Sequence, residues 1–207
     1  MPAPLTANSF ARVTAKSAQD VCTVYKPAEN AHALLRPDLT PRQFFDLLLV
    51  QQLEVEAGRF LAQALPKREA VWWACTCVRQ TSGAAAAPKA AAALVAAETW
   101  VVDPTEANRL AAQKAAELAN GLGSPAGCAA MAAFWSGGSL APTGMQVIAP
   151  AESMTATAVT GALIRVALLN APEKFLANLR GCLTVGVAVA TGTNRWKEPS
   201  PPPGSRR

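Results

Sequence analysis

The stretch Leu65 to Arg79, LPKREAVWWACTCVR, constrains this chain more than any other. It reads as a helix with a marked start. Pro66 suits the first helical position, where a missing N–H costs nothing. Glu69 falls in the first turn and Arg79 near the end, each on the side that the helix dipole favours. Trp72 and Trp73 sit together at the middle. Successive helical residues point about 100° apart, so two adjacent indoles cannot share one narrow core. The apolar stripe Val71, Cys75, Val78 faces a core at i, i+4 and i+7 spacing. Trp72 flanks that stripe and Trp73 points towards the opposite side. The expectation is a central helix covered on more than one face, with both rings buried by different neighbours.

Helix starts and stops recur on both sides of it. Thr40-Pro41-Arg42-Gln43 combines an N-cap, a first-turn proline and a glutamine three residues on. Phe44, Leu47 and Leu48 follow at helical spacing, with a break near Gln52. Asp103-Pro104-Thr105-Glu106 reads as a second such start, with Asp103 as the cap. Ser124-Pro125 opens a further helix that Ser136-Gly137-Gly138 ends, and Gly121 reads as a left-handed stop. Thr81 to Pro88 and Leu140 to Pro150 read as loops. Residues 184–192 carry β-branched side chains, but no second strand exists to pair with them, so they read as the end of the last helix. The fold class is therefore all-α: an irregular bundle of seven to nine antiparallel helices, with a short α-solenoid-like array as the alternative. Much of the 51% hydrophobic content is alanine, which favours close-packed helices.

In a chain of 207 residues this gives a loose N-terminus over 1–9, one helical domain over 10–192, and a disordered proline- and arginine-rich tail over 193–207. Removing that tail is expected to leave the melting temperature almost unchanged. The net charge of +5 suggests nucleic acid at first sight. The tail, however, holds four of the 19 basic residues and one of the 14 acidic ones, which leaves a net of +2 in the body. A nucleic-acid face would cluster its basic residues in the folded part, and the longest run there is Lys67-Arg68. No window holds 18 uncharged apolar residues, so no membrane span is expected. An odd count of five cysteines and no signal-peptide pattern point to a reducing, cytoplasmic setting.

The chemical candidates are few. Cys75 and Cys77 lie about 200° apart on one helix and cannot face one metal, so no metal and no cofactor are expected. His32, the single histidine, has no nucleophile motif beside it. Glu54 and Glu56 read as a solvated face. The glycines at 121–123 and 137–138 lack the strand and lysine of a phosphate loop. No catalytic residue is assigned. Large aromatics are enriched at binding hot spots, and charges beside them orient a partner. The candidate partner-binding residues are therefore Lys67, Arg68, Glu69, Trp72, Trp73, Phe134 and Trp135.

Three segments, LPKREAVWWAC, DPTEANR at 103–109 and FWSGGSLAP at 134–142, resemble an uncharacterised bacterial family known as a domain of unknown function. The resemblance covers roughly residues 30–190. It brings no catalytic residues. It implies an accessory, adaptor or chaperone role beside type VI secretion and related contractile machines. The reading is a non-enzymatic helical adaptor that binds another protein. The alternatives are an enzyme with a site near His32 or Cys75, or a nucleic-acid binder using the basic tail. Any small-molecule ligand stays open.

Overall fold

Helix caps set most of the element boundaries in the computed structural model, which describes residues 9–82, 87–142, 144–169 and 171–197. Ten α-helices occur among them: α1 Ala18–Cys22, α2 Glu29–His32, α3 Pro41–Val50, α4 Glu54–Ala64, α5 Lys67–Ser82, α6 Pro88–Val102, α7 Glu106–Leu118, α8 Pro125–Phe134, α9 Met154–Leu168 and α10 Phe175–Thr191. Two of them, α1 and α2, are only a turn or so long, which accounts for the excess over the expected seven to nine. No strand occurs among the described residues.

At α3 the expected capping box forms: the Gln43 N–H donates to Thr40 Oγ1, and the Thr40 N–H donates to Gln43 Oε1 at 2.9 Å. The chain leaves α3 through Gln52, whose φ of 58° makes the break before α4. The α7 start differs from expectation. Thr105, rather than Asp103, caps it by accepting the Asn108 N–H. Asp103 instead closes α6 and accepts twice from the Asn108 side-chain amide, at 2.8 Å and 3.0 Å. A threonine directly before Glu106 offers an equivalent cap two residues later, so the helix starts there. Residues 184–191 are helical, and Gly192 stops α10 with a φ of 82°.

α5 lies at the centre. It packs against α4, α6, α8, α9 and α10. Contacts of this kind, running across the chain order, exclude a solenoid, in which each unit touches only its neighbours. α8 is almost wholly buried, and its run of alanines lets α6, α7 and α9 approach closely. α4 and α10 run in the same direction, since Arg180 meets Glu54 while Leu183 meets the Gly58 position further along both helices.

Trp73 is fully buried, and its indole N–H donates to the Cys182 carbonyl on α10 at 2.7 Å. The ring fits only because position 186 is glycine: a Cβ there would lie 2.6 Å from the indole. Trp72 is half-buried and is covered by something else. Its indole N–H donates to Asn194 Oδ1 at 3.0 Å, and Trp196 meets its ring edge-on at 6.5 Å. Two adjacent rings are thus covered by different parts of the chain, as the helical geometry requires.

Two expectations change. Glu54 and Glu56 are buried rather than solvated. Arg180 donates to Glu54 (Nε at 2.9 Å), and Glu56 accepts from Arg59 and from the Ala28 N–H. Each carboxylate gains a cation, which offsets its desolvation. The tail also starts later than residue 193. Trp196 is buried on the body, with the Arg68 guanidinium 4.3 Å from its ring centroid. A cation over an indole face gains from the ring quadrupole, so proline-rich composition here conceals a docked aromatic. Residues 1–8 and 198–207 lie outside the described residues. Phe10 is already part of the core, edge-on to Phe45.

Candidate interaction site

The seven residues expected to meet a partner are all engaged within the chain. Glu69 is buried and ion-paired with Arg12. Arg68 donates to the carbonyls of Val101 and Val102, the latter at 2.9 Å, while stacking on Trp196. Those carbonyls are the unpaired, negative end of α6, where a cation is favoured. Lys67 reaches Glu152 at 3.3 Å across the surface. Trp72 and Trp73 are covered as described. Phe134 is buried beneath the Arg109 guanidinium, 4.6 Å from its ring centroid. Trp135 closes the end of α8 and packs against the core half-buried. The structure does not gather these residues into one surface. Lys67, Arg68, Trp72 and Trp73 line different sides of α5, and Phe134 with Trp135 belongs to the α7–α8 side.

What the three singled-out segments share is a loop. Arg109, from DPTEANR, is buried and reaches into FWSGGSLAP. Its Nη1 donates to the Phe134 carbonyl at 2.7 Å and its Nη2 to the Ser139 carbonyl at 3.0 Å. Glu106 grips the same guanidinium through both carboxylate oxygens at 2.6 Å. That cation holds the Glu106 carboxyl below the usual glutamate range. Gly138, with a φ of 65°, passes directly over Arg109, and a Cβ there would lie 2.6 Å from its Nε. Ser139 then turns the chain: its hydroxyl oxygen accepts from the N–H groups of Ala141 and Ile148, at 3.0 Å and 3.2 Å. The Leu140 N–H donates to the Ile148 carbonyl at 2.8 Å. The far end of the loop carries Glu152, paired with Lys67 of LPKREAVWWAC.

Between those ends the loop presents large apolar side chains to solvent. Met145 is 66% exposed, Val147 71% and Ile148 56%. Three such residues within four positions differ from the scattered exposed aliphatics of an ordinary surface. The backbone is equally open, because the N–H groups of Gln146, Val147 and Ala149 donate to no acceptor among the described residues. Sequence reading placed this loop but gave it no role. Its signal was the spacing of apolar residues between Pro142 and Pro150, outside any helical period.

The other candidates offer less. His32 is exposed and shares a shallow recess of about 330 Å³ with Cys22 and Tyr25. Burial pushes the Cys22 thiol up to about 11, away from an activated thiolate. Cys75 is fully buried, and burial raises its thiol further. Cys77 faces α10, so the two thiols of α5 diverge as their spacing requires. The described residues contain no group of three or more His, Cys, Asp or Glu placed to hold a metal ion. A recess of about 650 Å³ lies between Tyr25, α4 and α9, where the buried Gln63 Oε1 has no partner among the described residues. It can accept from a water or a ligand donor. Among the described residues no single helix is long and apolar enough to cross a membrane. Several basic side chains of the body are spent on carboxylates, in the pairs Arg12–Glu69, Arg42–Asp46, Arg59–Glu56, Arg79–Glu98 and Arg180–Glu54.

A family model described as a family of unknown function, DUF6931, matches residues 44–190. No curated protein and no solved structure matches the chain.

Proposed function

The chain belongs to the DUF6931 family of unknown function, and from that premise we propose that it is a non-enzymatic helical adaptor that presents the loop 140–151 to a protein partner. One observation carries this reading: an exposed apolar segment with open backbone groups, fixed at its base by a buried arginine. An extended apolar segment of this kind meets a protein groove or a sheet edge, which supplies side-chain pockets and backbone hydrogen bonds together. The central helix serves as scaffold. Arg68 locks α5 to the end of α6, and Arg109 locks α7 to the loop base. The setting, a cytoplasmic accessory role beside a type VI secretion-like machine, rests on the resemblance alone.

The test is affinity capture from the native host, comparing the unaltered chain with Met145→Ser/Val147→Ser/Ile148→Ser. The expected result is a protein held by the first and lost by the second, with both chains melting alike. A partner retained by the triple variant and released by Trp135→Ala would move the interface back to the aromatic pair.

A further inference from the structure

Ile148 fixes which way the backbone of the loop faces. Its carbonyl accepts from the Leu140 N–H at 2.8 Å, and its N–H donates to Ser139 Oγ at 3.2 Å. Both of its backbone groups are thus turned to the arm 139–140. Residues 146–150 run on without a turn or bend. In such a segment successive residues direct their backbone groups to opposite edges. Val147 and Ala149 therefore turn theirs away from that arm, to an edge with no hydrogen-bond partner among the described residues. The edge is short. The Met145 N–H is spent on the Pro142 carbonyl at 3.1 Å, and the Ala151 N–H on the Met154 sulfur at 3.3 Å. Its donors are the N–H groups of Val147 and Ala149. Charge is missing as well. No Asp, Glu, Lys or Arg occurs from 140 to 151, and Glu152 just beyond is paired with Lys67. Open edges in native proteins are commonly guarded against self-pairing by charged side chains, and this one carries none.

We infer that this edge pairs with the same edge of a second copy of the chain, antiparallel, about a two-fold axis at Val147 and Ile148. A two-fold contact uses one patch twice and must be self-complementary. This edge meets that condition, because the Val147 and Ala149 N–H groups of each copy face backbone carbonyls of the other. The side chains agree with the backbone. Met145, Val147 and Ile148, all exposed in the single chain, cover one another across the axis and leave water. Like charges facing each other across the axis would oppose the pairing, and the segment has none. Pro142 and Pro150 bound the segment and keep the contact to one short strand. A contact confined to residues 145–149 of each copy is small and belongs with weak, reversible interfaces. Self-pairing needs no other protein. It rests on the adaptor reading in one respect only: a partner strand and the second copy occupy the same edge, so each excludes the other.

The experiment is sedimentation equilibrium of the purified full chain under reducing conditions, at concentrations up to about 1 mM, the weak end of specific association. The expected result is a reversible monomer–dimer equilibrium. Val147→Lys and Val147→Glu each set like charges across the axis and are expected to weaken the dimer about tenfold or more. An equimolar mixture of the two is expected to regain it, because opposite charges then face each other. Amide exchange on the unsubstituted chain gives a readout that needs no variant: exchange at Val147 and Ala149 should slow as concentration rises, and exchange at Gln146, on the other edge, should not. A chain that stays monomeric throughout overturns the proposal and leaves the adaptor reading to its own capture experiment. A dimer that survives both charged variants, or one whose formation leaves exchange at Val147 and Ala149 unchanged, overturns it too, since the contact then lies elsewhere. Failure of the mixture to recover the dimer overturns the two-fold pairing.

Discussion

The start of α5 and the loop 140–151 make opposite use of residues that favour binding. The helix start carries the charges and indoles that usually mark an interface, yet Glu69 is paired with Arg12, Arg68 is spent on the α6 carbonyls, and Trp73 is sealed under α10. The loop carries only methionine, valine and isoleucine of modest promise, and these face solvent. On the proposed reading, residue type is a poor guide to the interface, because a binding-prone side chain already satisfied within the chain has little left to offer a partner. What distinguishes the loop is that Met145, Val147 and Ile148 face solvent while Arg109 holds its base.

Trp73→Ala is the harshest challenge to the scaffold side of this comparison. It should cost about 3 to 5 kcal/mol, the range for emptying a large aromatic site, and a urea titration should show the midpoint fall accordingly. A variant that melts like the parent but loses a partner would make α5 the interface after all. Arg109→Ala attacks the loop base. It removes two charge-assisted hydrogen bonds to buried carbonyls, at roughly 2 to 3 kcal/mol in total, and amide exchange over residues 139–148 should accelerate with it. Unchanged exchange there would mean that the loop is held by something other than Arg109.

Truncation after Asn194 sharpens the comparison at the other end of α5. It removes Trp196 from Arg68 and Trp72, and a loss of about 1 to 2 kcal/mol is expected from the uncovered ring and the lost cation–π contact. Calorimetry with no shift in melting temperature would return these residues to the disordered tail. The smallest effect belongs to Met145→Ser/Val147→Ser/Ile148→Ser. Exposed side chains should change stability by no more than about 0.5 kcal/mol each, and a larger drop would show that the loop packs on the body.

The fold was largely legible because its cues are local. Thr40, Ser124 and the prolines beside them mark helix starts within four residues, and the alternation of such starts with Gly and Pro rules out strands. The site was less legible because its links are remote. Arg109 looks like an ordinary helical arginine until its acceptors at Phe134 and Ser139, 25 and 30 residues away, are known. Trp196 sits in a composition that argues for disorder, and only Arg68 and Trp72, more than a hundred residues earlier, reveal its dock. Glu54 looks like part of a polar face because Arg180 is invisible from its neighbourhood, and Glu56, though paired with nearby Arg59, also accepts from the Ala28 N–H, 28 residues earlier. Burial of a charge is a property of the pair, and a pair separated by so much chain leaves no periodic trace.

The most direct measurement is site-specific photo-crosslinking in the native host. A benzophenone side chain at Val147 is compared with one at Leu118, which is 66% exposed on α7 and outside the loop. The account predicts one discrete crosslinked protein from position 147 and none from position 118. The same product from both positions, or a product from 118 alone, would contradict it.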